Sequence, residues 1–284
     1  MATPRRAPAP GAYPAPSGPD LGRRDPDFIR QVLPVFRFLR DRYFRATFEG
    51  TDNLPADGRF IAVANHNGGP VLPDTWVMLS YWWDHFGPDR PGYALVHDAA
   101  LNLPGLSELL WKVGAVPASR QSAEKVIAAK ASLLIYPGGE RDCLKSFWQR
   151  NVIDFHGRTS FVELALTHGV PILPVVNVGG HEVYFTLWSS ERLARWTGIA
   201  QLTRVKTLPL QVGLPWGVWW SGFLPYLPLP AKFTYRVGEP IAVPHDPDMA
   251  RNPRAVRRLY AKVTRVMQSM LDDLASRRTL PVFG

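Results

Sequence analysis

The chain has 284 residues, of which 46% are hydrophobic and 20% are charged, and its net charge is +9. This composition suits a folded core, and the absence of a mid-chain linker favours one domain. The single cysteine, Cys143, excludes an intramolecular disulfide framework and fits a reducing compartment. No recognised nucleic-acid-binding motif accompanies the positive charge, so we expect no nucleic-acid partner.

The N-terminal end is basic. Residues 1–25 are rich in Pro and Ala, lack the apolar run of a secretory signal, and are predicted to form a disordered tail. Residues 26–45 follow as a predicted amphipathic helix. Its apolar stripe includes Phe28, Val32, Val35, Phe36, Leu39 and Tyr43, with Arg30, Arg37 and Arg40 interleaved. We expect its basic face to lie either in water or against an anionic membrane surface.

Apolar runs then alternate with helical periodicity, which is typical of an α/β domain. We assign residues 46–284 to one domain, with a mixed, mostly parallel sheet flanked by helices and with basic amphipathic helices at both ends of the chain. Strands are predicted at 60–65, 93–97, 114–117, 132–136, 172–178 and 233–237, and helices at 74–86, 105–112, 122–130, 159–168 and 190–197.

Residues 207–231 carry no charge and include Trp216, Trp219 and Trp220. The segment is long enough to cross a membrane as a helix, but its five prolines argue against an uninterrupted span. Trp and Tyr side chains favour the bilayer interface. We expect a shallow insertion, and hence a peripheral or monotopic membrane protein on the cytoplasmic side. The alternative is an apolar loop that covers the core.

The C-terminal end repeats the basic amphipathic pattern. An apolar stripe runs from Val256 to Leu274 and predicts a helix that packs on the core. Its flanks carry Arg254, Arg257, Arg258, Lys262 and Arg265. As at the N-terminus, the sequence leaves open whether this basic face meets water or anionic lipid.

Two polar, glycine-containing loops follow predicted strands, at residues 65–74 and 136–142. Open α/β sheets build their sites at the carboxyl ends of strands. We assign His66 as a general base and Asp74 as the carboxylate that orients its ring. His97 and His181 also lie near strand ends, but there a structural role is favoured. His181 and Glu182 are the alternative pair for the same face of the sheet.

The remaining candidate site residues are predicted to bind substrate. Asn65 adjoins His66, the N–H groups of Gly138 and Gly139 are candidates to face an oxyanion or a phosphate, and Glu140 shares their loop. Arg141 and Arg120 are candidate anion clamps, although Arg120 alternatively pairs with Glu124. No metal-ligand spacing occurs among the seven histidines, so no metal and no other cofactor is predicted. Because no Gly-x-Ser-x-Gly elbow occurs, we expect direct attack without an acyl-enzyme, with Cys143 as a control position.

Six blocks within residues 45–245 resemble, in order, the lysophospholipid acyltransferase superfamily, which includes glycerol-3-phosphate, 1-acylglycerol-3-phosphate and diacylglycerol-type acyltransferases. Residues 65–74 resemble its His-to-Asp catalytic motif, and residues 136–141 its Phe-Pro-Glu-Gly-Thr-Arg block. The other four blocks are residues 49–55, 103–120, 169–175 and 229–241.

The resemblance implies transfer of an acyl group from acyl-CoA, or from an acyl carrier protein, to a hydroxyl of a glycerolipid-type acceptor at a membrane. Seven residues separate His66 from Asp74, where most members have four. Gly138 and Glu140 occupy the positions where the phosphate-acceptor members usually have Glu and Thr. The acceptor can therefore equally be a neutral lipid alcohol or a lysophosphatidate-like lipid. The other readings are a lipid ester or thioester hydrolase that uses the same pair, and a non-catalytic lipid-binding member.

Overall fold

The structure is a computed structural model that describes residues 20–56, 58–102, 105–198, 206–220 and 224–284. Residues 1–19 of the predicted tail lie outside the described residues. Residues 20–25, predicted as part of the same tail, instead pack on the domain. Leu21 is buried, and the Arg24 guanidinium donates to the carbonyl oxygens of Pro88 and Arg90 at 2.6 and 3.1 Å. These contacts place the start of the packed chain before residue 26.

The described part of the chain alternates strands and helices. The strands are β1 (Thr47–Glu49), β2 (Ile61–Ala64), β3 (Gly92–Val96), β4 (Ala115–Pro117), β5 (Ser132–Ile135), β6 (Ile172–Val178), β7 (Phe185–Ser190), β8 (Leu208–Gly213), β9 (Gly217–Trp220) and β10 (Thr234–Val237). The helices are α1 (Pro26–Phe38), α2 (Pro73–Phe86), α3 (Asp98–Leu101), α4 (Leu106–Lys112), α5 (Arg120–Ala128), α6 (Gly139–Cys143), α7 (Ser160–His168), α8 (Glu191–Trp196), α9 (Pro247–Arg251) and α10 (Pro253–Ser276).

A seven-stranded sheet with the order β1-β10-β6-β2-β5-β3-β4 forms the centre of the domain. Strands β6, β2, β5, β3 and β4 run parallel, whereas β10 pairs antiparallel with β6 and parallel with β1. The predicted single α/β domain with a mixed, mostly parallel sheet is therefore confirmed. The six predicted strands and the five helices predicted between residues 74 and 197 form, and their ends differ by at most two residues. The helix predicted over residues 26–45 instead ends at Phe38 and is followed by a π-helical turn, Leu39–Tyr43.

The central strand β2 is buried on both faces, which explains its continuous apolar run. Ile61 and Val63 pack in a core cluster with side chains of α5, α7 and α10. Ala62 and Ala64 face the opposite cluster, which includes Val77 of α2. Because both layers hold β2, the loop that leaves its carboxyl end starts from a fixed position.

Helix α1 packs on α2 through a stripe that agrees in part with the predicted one. Phe36 is buried and Phe28, Val32 and Leu39 pack against the same cluster, whereas Val35 is 61% exposed. Ile29 and Leu33, which the predicted stripe did not include, are buried. Three arginines of residues 26–45 face acidic side chains: Arg30 pairs with Asp89, and Arg37 and Arg40 pair with Asp84. These ion pairs neutralise much of the basic face that was predicted to meet either water or anionic lipid. Contact of residues 26–45 with a membrane stays a prediction.

Helix α10 lies against β6 and α7 and keeps its basic side chains on the surface. Val256, Val263, Met267 and Leu274 of the predicted apolar stripe are buried. The flanking Arg254, Arg257, Arg258, Lys262 and Arg265 are exposed.

A second, antiparallel sheet of order β7-β8-β9 takes two of its three strands, β8 and β9, from the charge-free segment 207–231. Residues 221–223 of the segment lie outside the described residues. In the part of the chain that the structure describes, no helix combines the length and the apolar character needed to cross a bilayer. The small sheet exposes a cluster of large apolar side chains: Leu187, Trp188, Leu214, Trp216, Val218 and Trp220.

Candidate active site

The loop after β2 brings the side chains of His66 and Asp74 into contact despite its length. Gly68, Gly69 and Leu72 all have positive φ, so the chain turns sharply before α2 begins at Pro73. His66 Nδ1 lies 2.8 Å from Asp74 Oδ2. The seven intervening residues therefore preserve the contact expected of a base and its orienting carboxylate.

The Asp74 carboxylate is fully buried and held on both oxygens. Oδ2 also accepts from the backbone N–H of Asn67 at 2.9 Å, and Oδ1 accepts from the N–H of Thr75 at 2.7 Å. The hydroxyl of Tyr235 donates to the Asp74 carbonyl oxygen at 2.8 Å. Such bonds fix the carboxylate, and through it the orientation of the His66 ring.

The imidazole of His66 lies between the two motifs. Its ring stacks on Tyr136, with centroids 4.2 Å apart and an angle of 22° between the planes. Burial acts to lower the pKa of His66, but its interactions with Cys143 and Asp74 outweigh burial and raise that pKa well above its usual value. Because Nδ1 is bonded to Asp74, Nε2 is the nitrogen left for a substrate hydroxyl.

A cavity of about 570 Å³ opens beside His66 and is mainly apolar. Cys143 and Tyr136 line it near the histidine, together with His97, which the sequence favours as structural. Its apolar walls include Trp76, Leu79, Leu106, Leu110, Val113 and Phe161. A cavity of this size and polarity is suited to an elongated apolar ligand.

The second motif contacts α2, where the Thr75 hydroxyl donates to the Tyr136 hydroxyl at 3.1 Å, and its glycines permit close approach. A side chain at Gly138 would place its Cβ 2.3 Å from the Cβ of Asp142. Gly139 has a φ of +56°, and its N–H donates to the Tyr136 carbonyl oxygen at 3.1 Å. The Gly139 N–H is thus engaged within its own turn rather than directed at an oxyanion.

Arg120, Gly139 and Glu140 line the cavity with His66. Arg120 also donates to Glu124 at 3.0 Å, as the alternative reading predicted.

Three other predicted substrate-binding residues lie outside the cavity lining. The buried amide of Asn65 exchanges hydrogen bonds with the backbone of Asn177 on β6, at 2.8 and 3.0 Å. Gly139 and Glu140 line the cavity but Gly138 does not, and Arg141 pairs with Glu191 at 2.9 Å. Substrate binding by Asn65, Gly138 and Arg141 stays a prediction.

The structure brings to the site two residues that sequence reasoning did not assign. Arg158 lines the cavity, donates to the carbonyl oxygens of Pro137 and Gly138, and pairs with Glu140 at 3.3 Å. Asp142 accepts from the backbone N–H of His66 at 2.7 Å. Asp142 belongs to the second motif, but no local pattern distinguishes Arg158.

The alternative pair, His181 and Glu182, is buried outside the cavity lining. Burial, followed by the charges of Lys145 and His66, lowers the pKa of His181 well below its usual value. Glu182 binds Arg278 and accepts from the backbone N–H of Val282 at 2.7 Å. Glu182 therefore anchors the C-terminal segment.

The small sheet is joined to the His66 loop through tyrosines. The Tyr226 hydroxyl donates to the carbonyl oxygen of Gly68. A Cβ at Gly69 would lie 2.6 Å from the hydroxyl oxygen of Tyr184. The loop is therefore held between the main sheet and the segment that carries the exposed tryptophans.

Comparison with known proteins places this geometry in a family. A sequence model described as Acyltransferase matches residues 45–178. An uncharacterized protein of Mycobacterium leprae is 31% identical over 263 residues, which cover 92% of this chain and 68% of that protein. The chain belongs to the lysophospholipid acyltransferase superfamily. The base and carboxylate predicted from its first motif thus lie on the fold of an acyltransferase.

Two further comparisons describe this acyltransferase. Diacylglycerol O-acyltransferase 2 of Homo sapiens is 26% identical over 241 residues, which cover 80% of this chain and 59% of that enzyme. The crystal structure of the 1-acyl-sn-glycerophosphate acyltransferase PlsC from Thermotoga maritima matches with a TM-score of 0.52 and 20% identity. That match covers 89% of this chain and 85% of PlsC. At this identity, the likeness to PlsC supports the fold alone.

Proposed function

We propose that this acyltransferase moves a fatty acyl group from acyl-CoA to a hydroxyl of a glycerolipid-type acceptor, with His66 as the general base. The observation that carries the proposal is the His66–Asp74 contact of 2.8 Å beside an apolar cavity of about 570 Å³. An acyl chain in that cavity would bring its thioester carbonyl to the histidine. Glycerolipid acyltransferases among the relatives support the choice of acceptor.

In this reaction His66 acts first as a general base and then as a general acid. His66 Nε2 takes the proton of the acceptor hydroxyl as the oxygen attacks the thioester carbon, a contribution typically worth about 10²–10⁴-fold. Asp74 keeps the proton on Nδ1 and stabilises the imidazolium. When the tetrahedral intermediate collapses, the carbon–sulfur bond breaks and the imidazolium returns the proton to the CoA thiolate. The products are the lipid ester and free CoA.

We propose a neutral glyceride, such as monoacylglycerol or diacylglycerol, as the preferred acceptor. Arg141, the candidate phosphate clamp of the second motif, is paired with Glu191 at 2.9 Å and lies outside the cavity lining. Relatives named 2-acylglycerol O-acyltransferase 3 and diacylglycerol O-acyltransferase 2 support the same choice. A phosphate-bearing acceptor would have to compete with Glu191 for this arginine.

The deciding experiment incubates purified protein with radiolabelled palmitoyl-CoA and separate acceptors: lysophosphatidate, other lysophospholipids, monoacylglycerol, diacylglycerol and a long-chain alcohol. We expect labelled glyceride from the wild type and none from His66→Ala, with circular dichroism confirming that the variant is folded. Free fatty acid as the only product would favour the hydrolase. His66→Ala activity within tenfold of wild type would contradict the base assignment.

We further propose that the protein is peripheral or monotopic on the cytoplasmic side of a membrane. The exposed aromatic side chains of the small sheet support this placement, since Trp prefers the bilayer interface. Arg192 and Arg195 on the adjoining helix α8 are exposed and would favour anionic lipid. An acceptor dissolved in the bilayer would then reach a site tied to this sheet through Tyr226 and Gly68.

A further inference from the structure

A second cavity, of about 600 Å³, lies next to the apolar one. Arg120 lines both cavities, so the two meet at the beginning of α5. The second cavity extends along α7 towards α9 and the first turns of α10, where Arg251 and Arg257 line it. Its volume lies within the range of small-molecule sites.

Helix α7 divides the two cavities by polarity. Ser160, Phe161 and Leu164 face the apolar cavity, whereas Thr159, Glu163 and Thr167 line the second one. Among the described residues that line the second cavity, three arginines stand against one carboxylate, that of Glu163. The second cavity is therefore positively charged and suited to an anion.

The ion pairs of these arginines lie at the surface. Arg120 donates to Glu124 at 3.0 Å and to Glu163 at 3.5 Å, Arg251 lies 3.6 Å from Asp248, and Arg257 is exposed to solvent. Exposed ion pairs of this kind contribute little to stability, so an incoming anion can displace the carboxylates. Guanidinium groups bind phosphate through two parallel hydrogen bonds, which makes phosphate the favoured anion.

The pair of cavities matches a ligand with an apolar chain at one end and several phosphates at the other. We infer that the second cavity binds the phosphorylated nucleotide end of coenzyme A. The acyl chain would occupy the apolar cavity, and the neutral arm of the donor would pass Arg120. This inference rests on the proposed function because it assigns a site to the donor of that reaction.

The direct test measures binding of adenosine 3′,5′-bisphosphate, the nucleotide end without its arm, to the full chain by calorimetry. We expect the double variant Arg251→Glu/Arg257→Glu to bind about tenfold or more weakly than wild type. The matched control Lys262→Glu/Arg265→Glu changes the net charge equally, on the helix that carries Arg257 but outside the cavity. The control should bind as wild type does.

A kinetic test uses two donors, palmitoyl-CoA and palmitoyl-pantetheine, which lacks the nucleotide. The Arg251→Glu/Arg257→Glu variant should raise KM for palmitoyl-CoA about tenfold with kcat unchanged, and leave both constants for palmitoyl-pantetheine unchanged. Wild-type protein that does not bind the nucleotide would overturn the inference. Equal losses in the two double variants, or a preference for acyl carrier protein over palmitoyl-CoA, would also overturn it.

The two proposals fail separately. Acyl transfer from palmitoyl-CoA without nucleotide binding in this cavity would leave the transferase and remove the donor site. Nucleotide binding that depends on Arg251 and Arg257, without acyl transfer to any acceptor, would support the site and count against the transferase.

Discussion

The backbone N–H of His66 donates to Asp142 Oδ2 at 2.7 Å, and so joins the first motif directly to the second. The other carboxylate oxygen of Asp142 accepts from Lys145 at 2.7 Å. Both Asp142 and the Lys145 side chain are largely buried. The position of the candidate base therefore depends on a carboxylate of α6, 76 residues away in the chain.

Replacement of Asp142 should affect stability and activity together. Asp142→Ala leaves Lys145 as an uncompensated buried charge, which should cost about 3 kcal/mol or more of the free energy of unfolding. The His66 N–H also loses its acceptor, so kcat/KM should fall. Urea unfolding and acyl-transfer assays on the same preparation measure both effects. A variant with wild-type kcat/KM would show that Asp142 does not position the base.

Asp74→Asn should abolish most activity without unfolding the protein. The neutral asparagine lacks the negative charge that stabilises the His66 imidazolium. It can accept a hydrogen bond only through its oxygen, so it also fixes the proton on His66 Nδ1 less well. We expect kcat to fall by about 10²–10⁴-fold with little change in the KM for palmitoyl-CoA. The exposed carboxylate of Asp52 provides the control, and Asp52→Asn should keep full activity. Comparable kcat values for the two variants would remove Asp74 from the mechanism.

The strand ends and the first motif were predictable because their signals are local. A strand buried on both faces is a continuous apolar run, and the run before His66 identifies the loop that follows β2. The same reasoning located the loop after β5. Parallel pairing of β2 with β5 then brings the two loops to one edge of the sheet.

The contacts between distant segments were not predictable. Arg158 reaches the second motif from 18 residues beyond Glu140, and Arg141 is neutralised by Glu191, 50 residues away. Neither contact leaves a periodicity in the sequence. The small sheet was missed for another reason. The prolines and tryptophans of residues 207–231 favoured a shallow membrane insertion over strands, and the pairing of β8 with β7 and β9 depends on contacts between distant segments.

Activity should rise with pH through the pKa of His66. The base is active only when neutral, and interactions with Cys143 and Asp74 raise this pKa above its usual value. The neutral fraction, and with it kcat/KM, should therefore increase as the pH rises from neutral to mildly alkaline. Cys143→Ala removes one of the raising interactions, so its pH profile should shift to lower pH.

The plateau value of kcat/KM in the same pH profile tests whether the acceptor hydroxyl attacks the thioester directly. Cys143→Ala should reach a plateau of kcat/KM close to that of wild type, because the acceptor hydroxyl attacks the thioester without an enzyme-bound acyl group. Loss of the plateau in a folded variant would instead make the thiol a participant. The Cys143→Ser variant serves as the conservative comparison, since it keeps a small polar group beside His66.

Membrane binding should depend more on the small sheet than on α1. Trp188 and Trp220 contact each other edge to face with centroids 5.8 Å apart, and each is 49% exposed. We expect Trp188→Ser/Trp220→Ser to weaken binding to anionic phosphatidylcholine/phosphatidylserine vesicles by about tenfold or more, because apolar area is lost from the bilayer interface. The matched variant Val35→Ser/Phe38→Ser removes two comparably exposed apolar side chains from α1. Sedimentation with vesicles compares the variants, and a larger loss from the α1 variant would place the membrane contact on residues 26–45 instead.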